Sequence, residues 1–158
     1  MNNNFISAEK FLKQSEKVQD NIKTWLELNM QEKEWVKLTK EKCTLYVSEV
    51  LDTRKENINV GRVFYFGECL CWTSIYEPNV VPLLQIHQLI NFIEGTTKKD
   101  LSHWRDIDDN EFTIYLTNKK FEEEFQGNII VNQQEFKGMG LNLLEALWQV
   151  TIQIIEGE

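Results

Sequence analysis

The chain has 158 residues, 42% of them hydrophobic and 27% charged, and its 17 Lys and Arg against 25 Asp and Glu give a formal net charge of −8. A chain of this length buries enough apolar surface for one core without disulfide bonds or a structural metal. The acidic balance argues against direct nucleic-acid binding, because that binding needs clustered cations to displace counterions from the phosphates. We therefore expect a single domain over residues 1–158.

The sequence predicts neither a signal peptide nor a membrane span. Its N-terminus turns charged within a few residues and lacks the apolar stretch of a secretory leader. The most apolar stretch, residues 141–155, is interrupted by polar residues and is shorter than the roughly 20 residues of a span. Three cysteines form an odd set in a domain that needs no bridges, and reduced thiols are the simplest account. We expect a cytoplasmic protein that does not bind membranes.

An amphipathic helix is predicted within residues 1–30. From residue 7 to about residue 29, apolar residues recur at spacings of three, four and seven, and Ser7 is an acceptable N-cap with Glu9 in the first turn. Residues 31–42 stay open, because they could extend this helix, form a second short helix or lead into a strand.

Strands are predicted after residue 42. Residues rich in Val, Ile, Tyr, Phe and Thr favour strands near 43–51, 58–66 and 68–75. The polar cluster 52–57 is typical of a solvated connection, and Gly67 is expected to bend or bulge the next junction.

The second half of the chain predicts two further helices and two strands. A helix is expected near 82–94, because Pro82 suits a first helical turn and Gly95 suits a helix end. The polar stretch 96–110 is expected to be a loop with one buried anchor, such as Trp104. Residues 112–117 alternate as in a strand with one apolar face, 119–124 is interpreted as a connection, and 129–136 is a further strand candidate. Residues 141–155 predict a buried helix, although their β-branched end leaves a strand open.

This order of elements predicts an α+β fold with a mainly antiparallel sheet covered by two or three helices. The helix within residues 1–30 comes first, and the sheet follows within residues 43–155 together with the helices near 82–94 and 141–155.

Hydrophobic patterning over residues 80–155 forms a short helix, a Trp-Arg pair after a loop, strands that end in Phe-Lys-Gly, and a last helix. The residues are Val81, Pro82, Leu89, Ile90, Trp104, Arg105, Phe136, Lys137, Gly138, Leu143, Leu144, Glu145, Ala146, Leu147 and Trp148. This pattern resembles small uncharacterised phage and prophage proteins with an ABA-sandwich type of domain. The family has no established activity, so the resemblance implies a mobile-element origin and no particular chemistry.

A zinc site is one candidate site that the sequence offers. Cys69 and Cys71 form a C-x-C pair, and His87 with His103 would complete four thiolate and imidazole ligands. Structural zinc sites more often place two to four residues between the cysteines, so small buried side chains are the preferred interpretation. We predict no metal and no cofactor.

A pocket for a small, nucleotide-like ligand is an alternative site. His103 and Arg105 lie in the predicted polar loop, and Gly138 and Gly140 precede the last helix, where backbone amides can bind phosphate. Without a further glycine or a lysine, a simple turn explains these glycines better. A small hydrolase that uses His103 or Cys69 is a third hypothesis, but no catalytic residue is assigned.

Charge is distributed unevenly along the chain. Residues 1–79 carry 11 basic and 12 acidic side chains (11 − 12 = −1), whereas residues 80–158 carry 6 and 13 (6 − 13 = −7). An acidic surface steers association with a basic partner, and Trp and Arg are enriched where proteins dock. A merely solvated surface is the alternative. The predicted binding residues are Trp104, Arg105, Asp106, Asp108, Asp109, Glu122, Glu123 and Glu124.

These observations favour a non-enzymatic intracellular protein that binds a protein partner with a basic surface. We expect an inhibitor or immunity-type factor of a phage or mobile element. A homodimer stays open, because the helix at 141–155 could be buried within one chain or shared between two.

Overall fold

The computed structural model describes residues 4–52, 62–66, 72–106, 111–117, 134–139 and 142–157. Over these ranges the chain forms four helices and eight strands, and all the strand pairs are antiparallel. The α+β class is therefore confirmed. The chain divides into two compact units, Ser7–Leu84 and Met1–Ile6 with Gln85–Glu158. None of the helices in the described ranges combines the length and the hydropathy needed to cross a bilayer.

The first unit begins with two helices where the periodicity predicted one. Helix α1 spans Ala8–Leu12 and helix α2 spans Glu16–Asn29. Ser7 is the N-cap of α1, as predicted, and its Oγ accepts from the backbone N–H of Lys10 at 3.3 Å. Ser15 does the same for Val18 at 3.3 Å. A serine hydroxyl satisfies the free amides of a first turn, so the chain starts a new helix at this point instead of continuing the old one.

The strands of the first unit form one antiparallel sheet in the order β4-β3-β2-β1-β5. They are β1 (Trp35–Leu38), β2 (Cys43–Asp52), β3 (Arg62–Phe66), β4 (Trp72–Thr73) and β5 (Val80–Leu83). Residues 31–42 thus lead into a strand. Between Val47 and Glu49 the register of β2 shifts, and the Ser48 hydroxyl there donates to the Tyr65 carbonyl at 2.8 Å. Residues 53–61 and 67–71, with the predicted bend at Gly67, lie outside the described residues.

Pro82 lies in β5, and the prediction that it begins a helix is wrong. In the described sheet β5 is an edge strand, where a residue without an N–H is tolerated. Helix α3 instead spans Ile86–Thr97 after the N-cap Gln85, whose backbone N–H donates to Gln88 Oε1 at 2.9 Å. The helix continues through Gly95, where the sequence predicted its end. Its C-cap is Lys98, which has a left-handed conformation with φ 58°.

A buried arginine joins α2 to β3. The Arg62 side chain, only 9% exposed, donates from Nη2 to the Met30 carbonyl at 2.7 Å and from Nη1 to the Glu27 carbonyl at 3.4 Å. The backbone N–H of Arg62 donates to the Glu27 carboxylate at 2.8 Å. Its guanidinium also lies 5.6 Å from the centre of the Phe64 ring. A cation at a helix C-terminus satisfies unpaired carbonyls and complements the helix dipole.

We predict that Arg62→Met lowers the free energy of unfolding by about 2 to 4 kcal/mol, because it leaves two carbonyls at the end of α2 without their charged donor. Urea unfolding followed by circular dichroism measures this loss. Lys13→Met, at an exposed position, is the matched control and should change stability by less than about 0.5 kcal/mol. Equal stability of the two variants would contradict the role assigned to Arg62.

The second unit pairs α3 and helix α4 (Leu143–Glu156) with a three-stranded sheet. The sheet runs in the order β6-β7-β8, with β6 at Asp100–Asp106, β7 at Glu111–Thr117 and β8 at Gln134–Met139. The predicted last helix is confirmed. Asn142 caps it, and the Asn142 Oδ1 accepts from the backbone N–H of Glu145 at 3.0 Å. Helix α4 packs against β7 and β8, and α3 contacts β6 and α4.

The central strand β7 has one buried and one open face, as its alternation predicts. Phe112, Ile114 and Leu116 are 7%, 0% and 0% exposed, whereas the residues between them are only partly buried. The predicted connection 119–124 and the first residues of the predicted strand 129–136 lie outside the described residues. The described strand β8 begins at Gln134 and continues past residue 136 to Met139.

We predict that Lys98→Gly raises the free energy of unfolding by about 1 kcal/mol, because glycine adopts the left-handed conformation without the clash of a Cβ. Thermal unfolding monitors the change. Thr97→Gly is the neighbouring control and should destabilise the protein, because Thr97 is the last helical residue and its Oγ1 donates to the Ile93 carbonyl at 2.7 Å. A loss of stability in Lys98→Gly would contradict the prediction that the Cβ of Lys98 destabilises its left-handed conformation.

Candidate functional site

The segment that carries Trp104 and Arg105 is a strand, and the prediction of a loop at 96–110 is wrong. Strand β6 pairs with β7 over seven residues, from Asp100 opposite Thr117 to Asp106 opposite Glu111. Four consecutive β6 residues, 102–105, are exposed, so the strand lacks the apolar alternation of a half-buried strand. Backbone hydrogen bonds to β7 order strand β6. The hydrophobic pattern of the sequence carries no signal for such bonds, so it did not predict this strand.

The register of the three strands defines an open face, which we call the Trp104 face. Residues directly opposite each other in antiparallel strands share a side of the sheet. Trp104 is opposite Thr113, which is opposite Lys137; Ser102 is opposite Tyr115, which is opposite Glu135. Among the residues whose side chains the structure describes, the face comprises Asp100, Ser102, Trp104, Thr113, Tyr115 and Thr117.

Trp104 is the most exposed large hydrophobic residue in the described part of the chain, with 67% of its surface accessible. The prediction that it could be a buried anchor is therefore wrong. Its position follows from strand parity, because it lies opposite Thr113, on the side of β7 away from the buried Phe112 and Ile114. An indole ring this exposed contributes little to a core and is available to a partner.

One acidic residue with a described side chain, Asp100, lies on the Trp104 face, opposite Thr117 and partly exposed. Asp106, one of the predicted acidic site residues, is the last residue of β6, and its side chain lies outside the described part of the structure. Asp108 and Asp109, between β6 and β7, and Glu122, Glu123 and Glu124, between β7 and β8, lie outside the described residues.

Arg105 is exposed but lies on the face of the sheet opposite to Trp104, so the structure separates the two neighbours that the sequence analysis took as one pair. Its guanidinium carbon is 5.6 Å from the centre of the Phe112 ring. Arg105 is opposite Phe112, and Phe112 is opposite Gly138, so two residues of the alternative ligand pocket lie in one row. His103 shares this face and is exposed at the strand edge.

Of the two glycines of the alternative ligand pocket, Gly138 lies within β8. Gly140 lies outside the described residues. In the first turn of α4, the backbone N–H of Glu145 donates to the Asn142 side chain. That amide is therefore already used, whereas a phosphate at a helix N-terminus needs free amides.

The zinc hypothesis is only partly accessible to the structure, since Cys69 and Cys71 lie outside the described residues. His87 is exposed on α3, and His103 is exposed on β6. Over the described ranges, no three His, Cys, Asp or Glu residues are grouped as metal ligands.

Two shifted pKa values in the first unit have structural causes. Asn79 donates from Nδ2 to the Glu41 carboxylate at 2.9 Å, and this hydrogen bond lowers the pKa of Glu41. Burial lowers the pKa of Lys23, although the nearby carboxylates of Asp20 and Glu77 oppose the shift. Neither group belongs to the Trp104 face.

Tyr115 is a site residue that the sequence analysis missed. It is partly exposed on the Trp104 face, opposite Ser102. The signal was present in the alternation of 112–117, because a tyrosine between buried positions of an amphipathic strand must lie on the other face.

Comparisons of the chain with protein-family models, curated proteins and solved structures find no match. The structure by itself therefore gives the class of molecule, an α+β protein with a solvent-exposed tryptophan on one face of an antiparallel sheet. The resemblance to phage and prophage proteins stays a prediction.

We predict that Trp104→Ala changes the free energy of unfolding by less than about 0.5 kcal/mol, because the ring is mostly in water. Ile114→Ala, two strand positions from Phe112 on the covered face, should cost about 2 to 4 kcal/mol. Urea unfolding of both variants measures the contrast. A large loss of stability in Trp104→Ala would contradict this prediction and would indicate that the Trp104 ring packs in the core.

Proposed function

We propose that the protein is a non-enzymatic binding protein that captures a basic protein partner on the Trp104 face, as an inhibitor or immunity-type factor of a phage or mobile element. The observation that carries this proposal is the 67% exposure of Trp104 in a regular strand. Burying a tryptophan removes a large apolar area from water, and tryptophans dominate the energetics of protein interfaces.

The placement of Trp104 on a strand supports a rigid docking surface. The backbone of β6 is paired with β7 along its whole length. At the start of the strand, the backbone N–H of Leu101 donates to the Glu94 carboxylate of α3 at 3.1 Å. An anchor that is already ordered before binding loses less conformational entropy on association than one on a flexible loop.

Charge supports a basic partner in preference to an acidic one. Trp104 belongs to the half of the chain, residues 80–158, with a net charge of −7. Complementary charge accelerates encounter and selects against partners of like charge, while the buried aromatic anchor supplies most of the affinity. The same charges argue against a polyphosphate ligand on this face.

Affinity capture from native lysate of the source cells tests the proposal. We expect a basic protein to be retained by the wild type and lost from Trp104→Ala, with roughly a 30-fold weaker Kd when the isolated partner is titrated by calorimetry. Leu28→Ala is the matched control, because Leu28 is an exposed apolar residue, 49% accessible, in the other unit. Equal retention by wild type and Trp104→Ala would overturn the proposal.

A further inference from the structure

The outer edge of strand β6 is open in the described sheet. In the order β6-β7-β8, strand β6 comes first and is paired on one side only. Residues 102–105 are all exposed, although successive residues lie on opposite faces of the strand. An edge strand presents a row of backbone N–H and C=O groups that can pair with a further strand. Strand β6 therefore offers a second binding feature beside the ring of Trp104.

A hydrogen bond of Leu101 shows which backbone groups of β6 point outward. The N–H of Leu101 donates to the Glu94 carboxylate of α3 at 3.1 Å, so it is directed away from β7. In an antiparallel pair, residues with inward and outward backbone groups alternate along the strand. His103 therefore also directs its N–H and C=O outward, whereas Ser102 and Trp104 direct theirs to β7. Over the described ranges, no turn or loop backbone group bonds to His103 at this edge.

These outward groups match an extended backbone. A donor and an acceptor on the same residue are satisfied together when one residue of an antiparallel strand exchanges two hydrogen bonds with it. The outward C=O of Leu101 can accept a third bond from the same strand. Because the Glu94 carboxylate already accepts the N–H of Leu101, the pairing is complete at His103 and ends at Leu101.

The same pairing brings the added strand to Trp104. Its residue opposite Trp104 lies on the Trp104 face, directly beside an indole that is 67% exposed. Residues 80–158 carry a net charge of −7, which favours a basic segment and disfavours a second copy of this chain.

We infer that the outer edge of β6 binds an extended segment of the basic partner as an additional antiparallel strand, with one residue paired to His103 and the next against Trp104. This inference rests on the proposed function, because it names how the partner docks. Main-chain hydrogen bonds then add to the contact that the indole provides.

Hydrogen exchange with a model strand tests this inference on the full chain. The probe is an acetylated, amidated peptide of three Lys-Val repeats, and its control carries a methyl group on every backbone nitrogen, so it keeps the charges but cannot donate. The readout is the His103 amide signal in a nitrogen-15 correlation spectrum, identified by its absence in His103→Pro. In the free protein this amide should exchange rapidly, and those of Ser102 and Trp104 slowly. Saturation with the Lys-Val peptide should slow its exchange at least about tenfold, and the methylated peptide should not.

Two substitutions at one position separate the backbone from the side chain. His103→Pro removes the outward N–H and keeps the pairing with β7, because edge strands tolerate proline where the N–H faces solvent. It should weaken binding of the Lys-Val peptide roughly tenfold, measured by the indole N–H signal of Trp104. His103→Ala keeps the backbone N–H and should bind like the wild type. The amide spectrum of each variant reports whether the fold is intact, and the methylated peptide makes the same test on the wild type.

Several outcomes would overturn the inference. They are an unprotected His103 amide at saturating peptide, equal effects of the two peptides, and equal binding by folded His103→Pro and His103→Ala. Slow exchange of the His103 amide in the free protein would also overturn it, because the edge would then already be covered. Protection that rises with protein concentration would identify a second copy as the occupant.

The two proposals fail in different ways. Partner capture that is lost in Trp104→Ala but kept in folded His103→Pro leaves the docking face standing and overturns the added strand. Peptide binding at the His103 edge, with capture unaffected by Trp104→Ala, supports strand addition and overturns the proposed docking function.

Discussion

The alternation of strand β7 is the constraint on which the second unit depends. Phe112, Ile114 and Leu116 are buried on one face, and α4 packs against this strand and β8. Because side chains alternate with a strict period of two, burial of that face fixes every residue on the other. The pairing of β6 with β7 then extends the same choice to the edge strand, and it places Trp104 with Thr113 on the open side. A slip of one residue would exchange Trp104 for Arg105.

Polar contacts at strand ends add hydrogen bonds between helices and strands to the apolar packing of each unit. In the second unit, the Glu94 carboxylate accepts the backbone N–H of Leu101 and so covers an outward-facing group of an edge strand. In the first unit, Arg62 holds the end of α2 to β3 through two carbonyls. Both contacts join a helix to a strand, and both satisfy groups that secondary structure alone leaves unpaired. The exposed residues of β6 are thus carried by an ordered scaffold.

The sequence predicts a helix or strand correctly where its own apolar periodicity matches the face that it buries. The prediction fails where pairing with another strand determines the structure. Helix α4 and strand β7 belong to the first kind, since each buries a regular face. Strand β6 belongs to the second, because its exposed residues are ordered by hydrogen bonds to β7. Pro82 suits a helix start and an edge strand equally well by local rules, and only its pairing with β1 separates them. For the site, sequence identifies Trp104 and the acidic character, whereas the separation of Arg105 and the proximity of Tyr115 require the register.

The net charge of the second half of the chain bears on what the exposed Trp104 can contact. An exposed indole on an edge strand is a site for self-association, because two copies could bury their rings and pair their edges. Because residues 80–158 carry a net charge of −7, a second copy brings the same excess of negative charge. Like charge opposes that encounter, while a cationic surface meets the same field as attraction. The same excess of negative charge thus opposes self-association and favours a basic partner, which is the kind of partner that the proposed function names.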